Sequence, residues 1–249
     1  MSLDTPQIFK IPDSSERELQ DLFLEKGWGD GLPMVAPTRD RVEEMLSASK
    51  DLDPDEVIAS LPPRDGIATR RIIAVNAVMA GCKPEHFPVL VSAIRALSAP
   101  EINLRGVNAT THCVAPLLIV HGKAARDGDY NSGLGAFGPG NLANATTGRA
   151  VRLILHHVAG ATPGTGDAST QGSPAKYSYC VAENLDSSPW GGYARSVGIN
   201  DESAVTIHCG EAPHNVHDME SSEPSAILDK VASTMTSCCL LYTSPSPRD

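Results

Sequence analysis

The feature that most constrains the fold is a short apolar run at residues 114–120, which ends at His121. A run this short cannot cross a bilayer, because a transmembrane helix needs about 20 apolar residues. It matches instead a strand that is buried on both faces. The pattern therefore predicts an interior strand at 116–121. Aromatic residues make up 4% of the chain, so we expect a core built from aliphatic side chains.

Apolar residues recur at helical spacing on both sides of this strand. Because predicted helices alternate with predicted strands, we predict the α/β class, with a mixed sheet flanked by helices. A surface connection is predicted at 51–64. The predicted helices cover 14–26, 38–46, 68–80, a part of 84–98, 142–158 and 225–234, and the other predicted strands cover 107–111, 176–182 and 204–208.

The C-terminal residues 239–249 read CLLYTSPSPRD, which resembles one translated frame of a common sequencing-library adapter. The alternative is a natural tail rich in serine and proline. Because adapter sequence has to be excluded from fold reasoning, we expect a single α/β domain over 1–238, C-terminally truncated, followed by a tail that is not native.

Charge and cysteine usage narrow the classes of function. The net charge of −10 argues against nucleic-acid binding, which needs basic stripes. Residues 1–12 lack the basic and apolar regions of a signal peptide. The 6 cysteines form no CxxC pair, which is typical of free thiols in a reducing cytoplasm. We therefore predict a cytoplasmic protein with neither a nucleic-acid nor a membrane partner.

Small polar residues concentrate in four loops next to strand ends or helix starts, at 106–112, 131–146, 180–190 and 209–217. Ligands of open α/β folds bind where such ends converge. The alternative is that these loops are ordinary solvated connections. We predict that four of their side chains position a substrate, namely Asn108, Thr110, Asn141 and Asn144.

The loop at 131–141 contains the spacing GxGxxG at Gly133, Gly135 and Gly138. It starts about ten residues after the preceding strand and is interrupted by Pro139, which argues against a dinucleotide site. The first N–H groups of the following helix would instead attract a carboxylate or phosphate, and Arg149 adds positive charge. We therefore predict a small anionic substrate and no cofactor. The alternative is a glycine turn required for packing alone.

Cys82 is the predicted catalytic thiol. It follows a helix that stops at Gly81 and precedes Lys83 and Pro84, where the next helix starts. The positive end of that helix and the charge of Lys83 would favour the thiolate. The alternative is a small buried hydrophobic residue, which is the commoner role of a cysteine between apolar helices.

The pattern HxxExxHxxH occupies residues 208–217. Imidazole titrates near neutral pH and a carboxylate can orient it, so the pattern predicts His214 and Glu211 as an acid/base pair. Zinc, iron or manganese bound by His208, Glu211 and His214 is the alternative. Because Pro213 breaks the helix that a zinc-protease motif requires, we predict no metal.

Four sequence strings are distinctive when taken together: GWGDGLP at 27–33, VNAVMAGC at 75–82, GPGN at 138–141 with Asn144, Ala145 and Thr146, and YCVAEN at 179–184. They resemble a largely uncharacterised bacterial and metagenomic family that is associated with UGSC-motif proteins, which carry selenocysteine or cysteine. The resemblance implies thiol or redox chemistry and a UGSC-type protein as partner.

These features predict an enzyme that acts on a small anionic metabolite by thiol-dependent chemistry, redox chemistry included. Cys82 would supply the thiol, and His214 with Glu211 would assist as acid and base. Two alternatives remain open. One is a non-catalytic binding subunit of a partner redox enzyme, and the other is a metal-dependent lyase or hydrolase.

Overall fold

The computed structural model describes residues 15–49 and 52–236. The chain divides into two compact units, one up to Ala212 and one from Pro213 onward. The adapter-like segment 239–249 lies outside the described residues.

A three-stranded sheet forms the centre of the first unit. Its middle strand is β3 (Ala115–Gly122), which runs parallel to β4 (Cys180–Ala182) and antiparallel to β5 (Ser203–Gly210). Leu118 and Val120 of β3 are fully buried in the core, as the apolar run requires. The sheet is mixed and flanked by helices, which confirms the predicted α/β class.

Three apolar helices supply most of the core beside this sheet: α3 (Arg70–Ala80), α4 (Phe87–Leu97) and α7 (Leu142–Ile154). α4 packs on β5, and α3 packs on α7. α7 continues into a wider π-helical turn, Leu155–Ala159. The other α-helices of the first unit are α1 (Glu16–Glu25), α2 (Arg39–Ser47), α5 (Leu104–Ala109), α6 (Lys123–Asp127) and α8 (Tyr193–Ser196).

Two sequence predictions of elements were wrong. The predicted surface connection at 51–64 contains a strand, β1 (Val57–Leu61), which forms a hairpin with β2 (Gly66–Thr69) just beyond it, and Leu61 is fully buried. The predicted strand at 107–111 lies largely in α5, because the side chain of Asn103 accepts a hydrogen bond from the Gly106 N–H and starts a helix there.

The second unit contains the helix α9 (Pro224–Thr236). Its preceding loop is held by Asp218, whose carboxylate accepts hydrogen bonds from Lys230 and from the backbone N–H groups of Glu220 and Ser221. Across both described ranges, 15–49 and 52–236, no helix combines the length and the apolar character needed to span a membrane.

Candidate functional site

The asparagines predicted to position a substrate bond to the protein's own backbone. Asn141 caps α7 by accepting the Asn144 N–H at 2.8 Å. The buried side chain of Asn144 bonds to both the N–H and the carbonyl of Asn131. Asn108 donates to the carbonyl of Pro62 at 2.8 Å. Thr110 accepts from a backbone N–H two residues further on. These side chains therefore shape the loops from which they come.

Arg149, the predicted positive charge, is engaged by the segment 27–33. Its guanidinium makes two hydrogen bonds of 2.7 Å to the carboxylate of Asp30 and two more to the carbonyls of Leu32 and Pro33. Burial by itself would raise the pKa of Asp30, but the hydrogen bonds and charge of Arg149 and the bond from the Leu32 N–H outweigh burial and lower it. Arg149 therefore anchors the GWGDGLP string to α7.

Cys82 lines a cleft of about 300 Å³ between α2 and α3. Its lining combines apolar side chains with three charged residues, Arg41, Glu44 and Lys83. Burial raises the pKa of the Cys82 thiol to about 12, although the hydroxyls of Thr146 and Thr147 act in the opposite direction. The next helical segment, Pro84–His86, is a single 3₁₀ turn that leads directly into α4. Burial therefore acts against the thiolate that the sequence predicts, and the catalytic role of Cys82 stays a prediction.

The two members of the predicted acid/base pair fall in different units. Glu211 belongs to the first unit, where its carboxylate lies 3.3 Å from Nδ1 of His112. His214 belongs to the second unit. In the described part of the chain, no three His, Cys, Asp or Glu side chains are grouped as a metal site would require.

A different polar cluster lies at the carboxyl ends of the parallel strands β3 and β4. His121 is the next-to-last residue of β3, and Glu183 directly follows β4, where its N–H donates to the carbonyl of Val120. In β5, Thr206 pairs with Ile119 of β3. Because residues i and i+2 of a strand share a face, Thr206 and His121 lie on the same face as diagonal neighbours.

Two hydrogen bonds join these side chains into a chain. Nδ1 of His121 is 2.7 Å from Oε2 of Glu183, and Nε2 is 2.8 Å from Oγ1 of Thr206. Since a carboxylate only accepts, Nδ1 carries a proton, and in the neutral imidazole Nε2 is then the acceptor for the Thr206 hydroxyl. The arrangement is hydroxyl, imidazole and carboxylate in line.

The surroundings keep the carboxylate charged and the imidazole shielded. The side chains of His121 and Glu183 are 4% and 18% exposed, respectively. Burial tends to raise the pKa of Glu183, but hydrogen bonds from the Tyr193 N–H and from His121 outweigh it, so the pKa lies below its ordinary value. The Tyr193 ring stacks on the imidazole at a centroid distance of 6.2 Å.

The sequence predicted a polar loop in this region, but it did not indicate His121, Glu183 and Thr206 as site residues. Loop 180–190 was one of the four predicted polar loops, and His121 closes the apolar run. A polar side chain at the end of a buried strand was the available signal for His121. Its partners are 62 and 85 residues away along the chain, so no local spacing could connect them.

Comparison with protein-family models, with curated proteins and with solved structures found no match to this chain.

Proposed function

We propose that the protein is an enzyme that hydrolyses or transfers acyl groups, with Thr206 as nucleophile, His121 as general base and Glu183 as the group that orients His121. The observation that supports the proposal is the chain of hydrogen bonds, 2.8 Å from Thr206 to His121 and 2.7 Å from His121 to Glu183. Hydrolases on unrelated folds activate a hydroxyl through this order of groups.

In the proposed reaction, Oγ1 of Thr206 attacks the carbonyl carbon of an ester or thioester while its proton moves to Nε2 of His121. The leaving group departs with that proton, and the acyl group remains as an ester on Thr206. Water then attacks this ester and gives a proton to Nε2, from which Thr206 recovers it as the acid leaves. The negative charge of Glu183 stabilises the imidazolium in both halves of the reaction.

The position and exposure of the three groups are consistent with this chemistry. The carboxyl ends of parallel strands are where open α/β folds bind ligands. Thr206 is half-buried, whereas His121 is buried. Because charges interact more strongly in a low-dielectric environment, the burial of the His121 imidazole strengthens its interaction with Glu183.

The test is hydrolysis of p-nitrophenyl acetate, with variants that change one group at a time. We expect Thr206→Val and His121→Ala to lower kcat/KM by about a thousandfold or more, and Glu183→Gln by about a hundredfold or more. Thr206→Ser keeps the hydroxyl and should retain measurable activity. A fluorophosphonate probe should add its mass to the peptide that contains Thr206.

His208→Ala is the matched control, because His208 is an exposed imidazole on the same strand, two residues from Thr206. Its activity should equal that of the wild-type protein. Full activity of Thr206→Val would contradict the nucleophile assignment. Equal activity of His121→Ala and the wild-type protein would contradict the whole proposal.

Thiol chemistry on a small anionic metabolite is a second candidate, favoured by one observation. Cys82 lines a cleft whose volume of about 300 Å³ would hold a small metabolite, and two cations, Arg41 and Lys83, line it together with one carboxylate, Glu44. A thiol with a pKa of about 12 would need a bound substrate or partner to form its thiolate. Cys82→Ala separates the candidates, since it should leave ester hydrolysis by Thr206 unchanged.

A further inference from the structure

A second polar cluster joins the C-terminal half of α7 to the loop that precedes β4. Nζ of Lys176 lies 2.9 and 2.7 Å from the two carboxylate oxygens of Asp167, and Nη2 of Arg152 lies 3.3 Å from one of them. The exposed fractions of the side chains are 11% for Lys176, 6% for Asp167 and 10% for Arg152. The cluster is therefore largely removed from water.

The charges of this cluster do not balance. Two cations, Arg152 and Lys176, interact with one carboxylate, that of Asp167. Burial lowers the pKa of each cation, and Asp167 offsets this only in part. A buried charge is stable only when it is paired, so one positive charge is left without a counter-charge among the described residues.

Two hydrogen-bond donors on Arg152 and Ser173 have no partner within the described ranges. Arg152 bonds through Nε to the carbonyl of Lys176 and through Nη2 to Asp167, whereas its Nη1 makes no hydrogen bond within the described ranges. Oγ of Ser173 is buried and has no partner. Ser173 lies one turn before Lys176, whose N–H donates to the Ser173 carbonyl at 2.9 Å. Buried polar groups are rarely left unpaired.

We propose that Arg152, Ser173 and Lys176, together with Asp167, form a binding site for a small oxyanion, either a carboxylate or a phosphate group. One negative charge would balance the second cation. Its oxygens would accept hydrogen bonds from Nη1 of Arg152 and from the Ser173 hydroxyl. The exposed tenth of the two cationic side chains gives a small ion a route to the cluster. This site shares no residue with the chain of His121, Glu183 and Thr206.

The test is a titration with sodium formate or sodium phosphate at constant ionic strength set by sodium chloride, with Tm and heat of binding as readouts. We expect one of the two anions to raise Tm in a saturable way with a stoichiometry of one. Formate would identify a carboxylate site and phosphate a phosphate site.

Ser173→Ala is the decisive variant, because a hydroxyl without a partner can be removed without loss of a hydrogen bond. Its Tm without anion should match that of the wild-type protein, while its affinity for the anion should fall about fivefold to tenfold. Lys176→Met removes the unbalanced charge and should weaken binding by more than tenfold. Ser98→Ala, which removes a hydroxyl at the end of α4, is the control and should bind as the wild-type protein does.

An unsaturable response to both anions, or equal affinity in wild-type, Ser173→Ala and Lys176→Met proteins, would overturn the proposal. Ester hydrolysis by Ser173→Ala should remain at the wild-type level. This readout keeps a failure of the anion site distinct from a failure of the proposed acyl chemistry.

Discussion

Arg149 and Asp30 connect the segment 27–33 to α7 through a shielded ion pair. Their side chains are 13% and 19% exposed, and the guanidinium donates to both carboxylate oxygens. Arg105 and Asp65 make an ion pair on the surface, where Nη2 donates to both carboxylate oxygens and 57% and 61% of the side chains are exposed. The second pair is therefore in much greater contact with water than the first.

We expect Arg149→Met to lower the free energy of unfolding by about 3 kcal/mol, because it leaves the Asp30 carboxylate buried without its cation. Arg105→Met should lower it by less than about 1 kcal/mol, as is usual for an exposed pair. Urea denaturation at pH 7 measures both. Equal small losses would mean that Arg149 is not a structural anchor, and its role as a ligand-binding charge would regain support.

Among the elements, the crossing of α7 over the start of β4 depends on a close backbone approach at Gly148. A Cβ at this position would meet the Oγ of Ser178 and would lie 2.6 Å from the backbone nitrogen of Tyr179. Glycine is required here for space, and not for an unusual backbone angle. The approach holds the helix against the strand whose end carries Glu183.

Gly148→Ala should therefore destabilise the protein by about 2 kcal/mol, because the clash outweighs the gain of about 1 kcal/mol in helix propensity. Gly133→Ala is the control: the nearest atom to its Cβ would be Oδ1 of Asn131 at an ordinary 3.6 Å, and we expect a change within about 0.5 kcal/mol. Thermal unfolding of both variants measures the difference. A Gly148→Ala protein as stable as the wild type would show that α7 can move away from β4 without cost.

The elements that sequence could predict are those with strong local patterns. β3 follows from an uninterrupted apolar run, and α3 follows from helical spacing that ends at Gly81, whose φ is +89°. The hairpin was missed because prolines and charged residues flank the apolar residues of β1 over 51–64. Its stability comes from tertiary contacts, which local propensity does not include.

The candidate sites were less predictable than the fold, because they too depend on tertiary contacts that a local sequence pattern does not include. The predicted loops contained polar residues as expected, but a sequence pattern cannot distinguish an asparagine that binds a ligand from one that caps a helix, as Asn141 does. The hydroxyl, imidazole and carboxylate of the proposed site come from three strand regions. Only their pairing in the sheet brings them together.

At the scale of the whole molecule, two histidines of the first unit make the folded state sensitive to acid. His86 is 1% exposed, and burial lowers its pKa. Burial and, to a smaller extent, the charge of His156 lower the pKa of His157 to about 4, and the hydrogen bond to the Trp28 carbonyl and the charge of Asp30 offset this only in part. In the unfolded chain both histidines have the ordinary pKa of 6.5. Between that value and the lower pKa of the folded state, the unfolded chain binds protons that the folded chain does not.

The free energy of unfolding decreases as the pH falls, because the histidine pKa values are lower in the folded state than in the unfolded state. Stability is full above the unfolded pKa of 6.5 and falls as the pH drops toward the folded pKa of about 4, because the unfolded state binds more protons. For His157 the loss at pH 5 is about 2 kcal/mol, and His86 adds to it in the same direction. The carboxylate of Asp30, whose pKa is lowered, adds a further loss below about pH 4.

We therefore expect the free energy of unfolding in urea to fall between pH 7 and pH 5, and the fall to be smaller in His157→Gln by about 2 kcal/mol. The glutamine does not titrate, so it removes the proton uptake of this site from both states, whatever it does to stability at pH 7. Comparing the slope against pH, and not the stability at one pH, separates titration from packing. Identical slopes in wild-type and His157→Gln proteins would mean that the buried ring of His157 takes up its proton without unfolding.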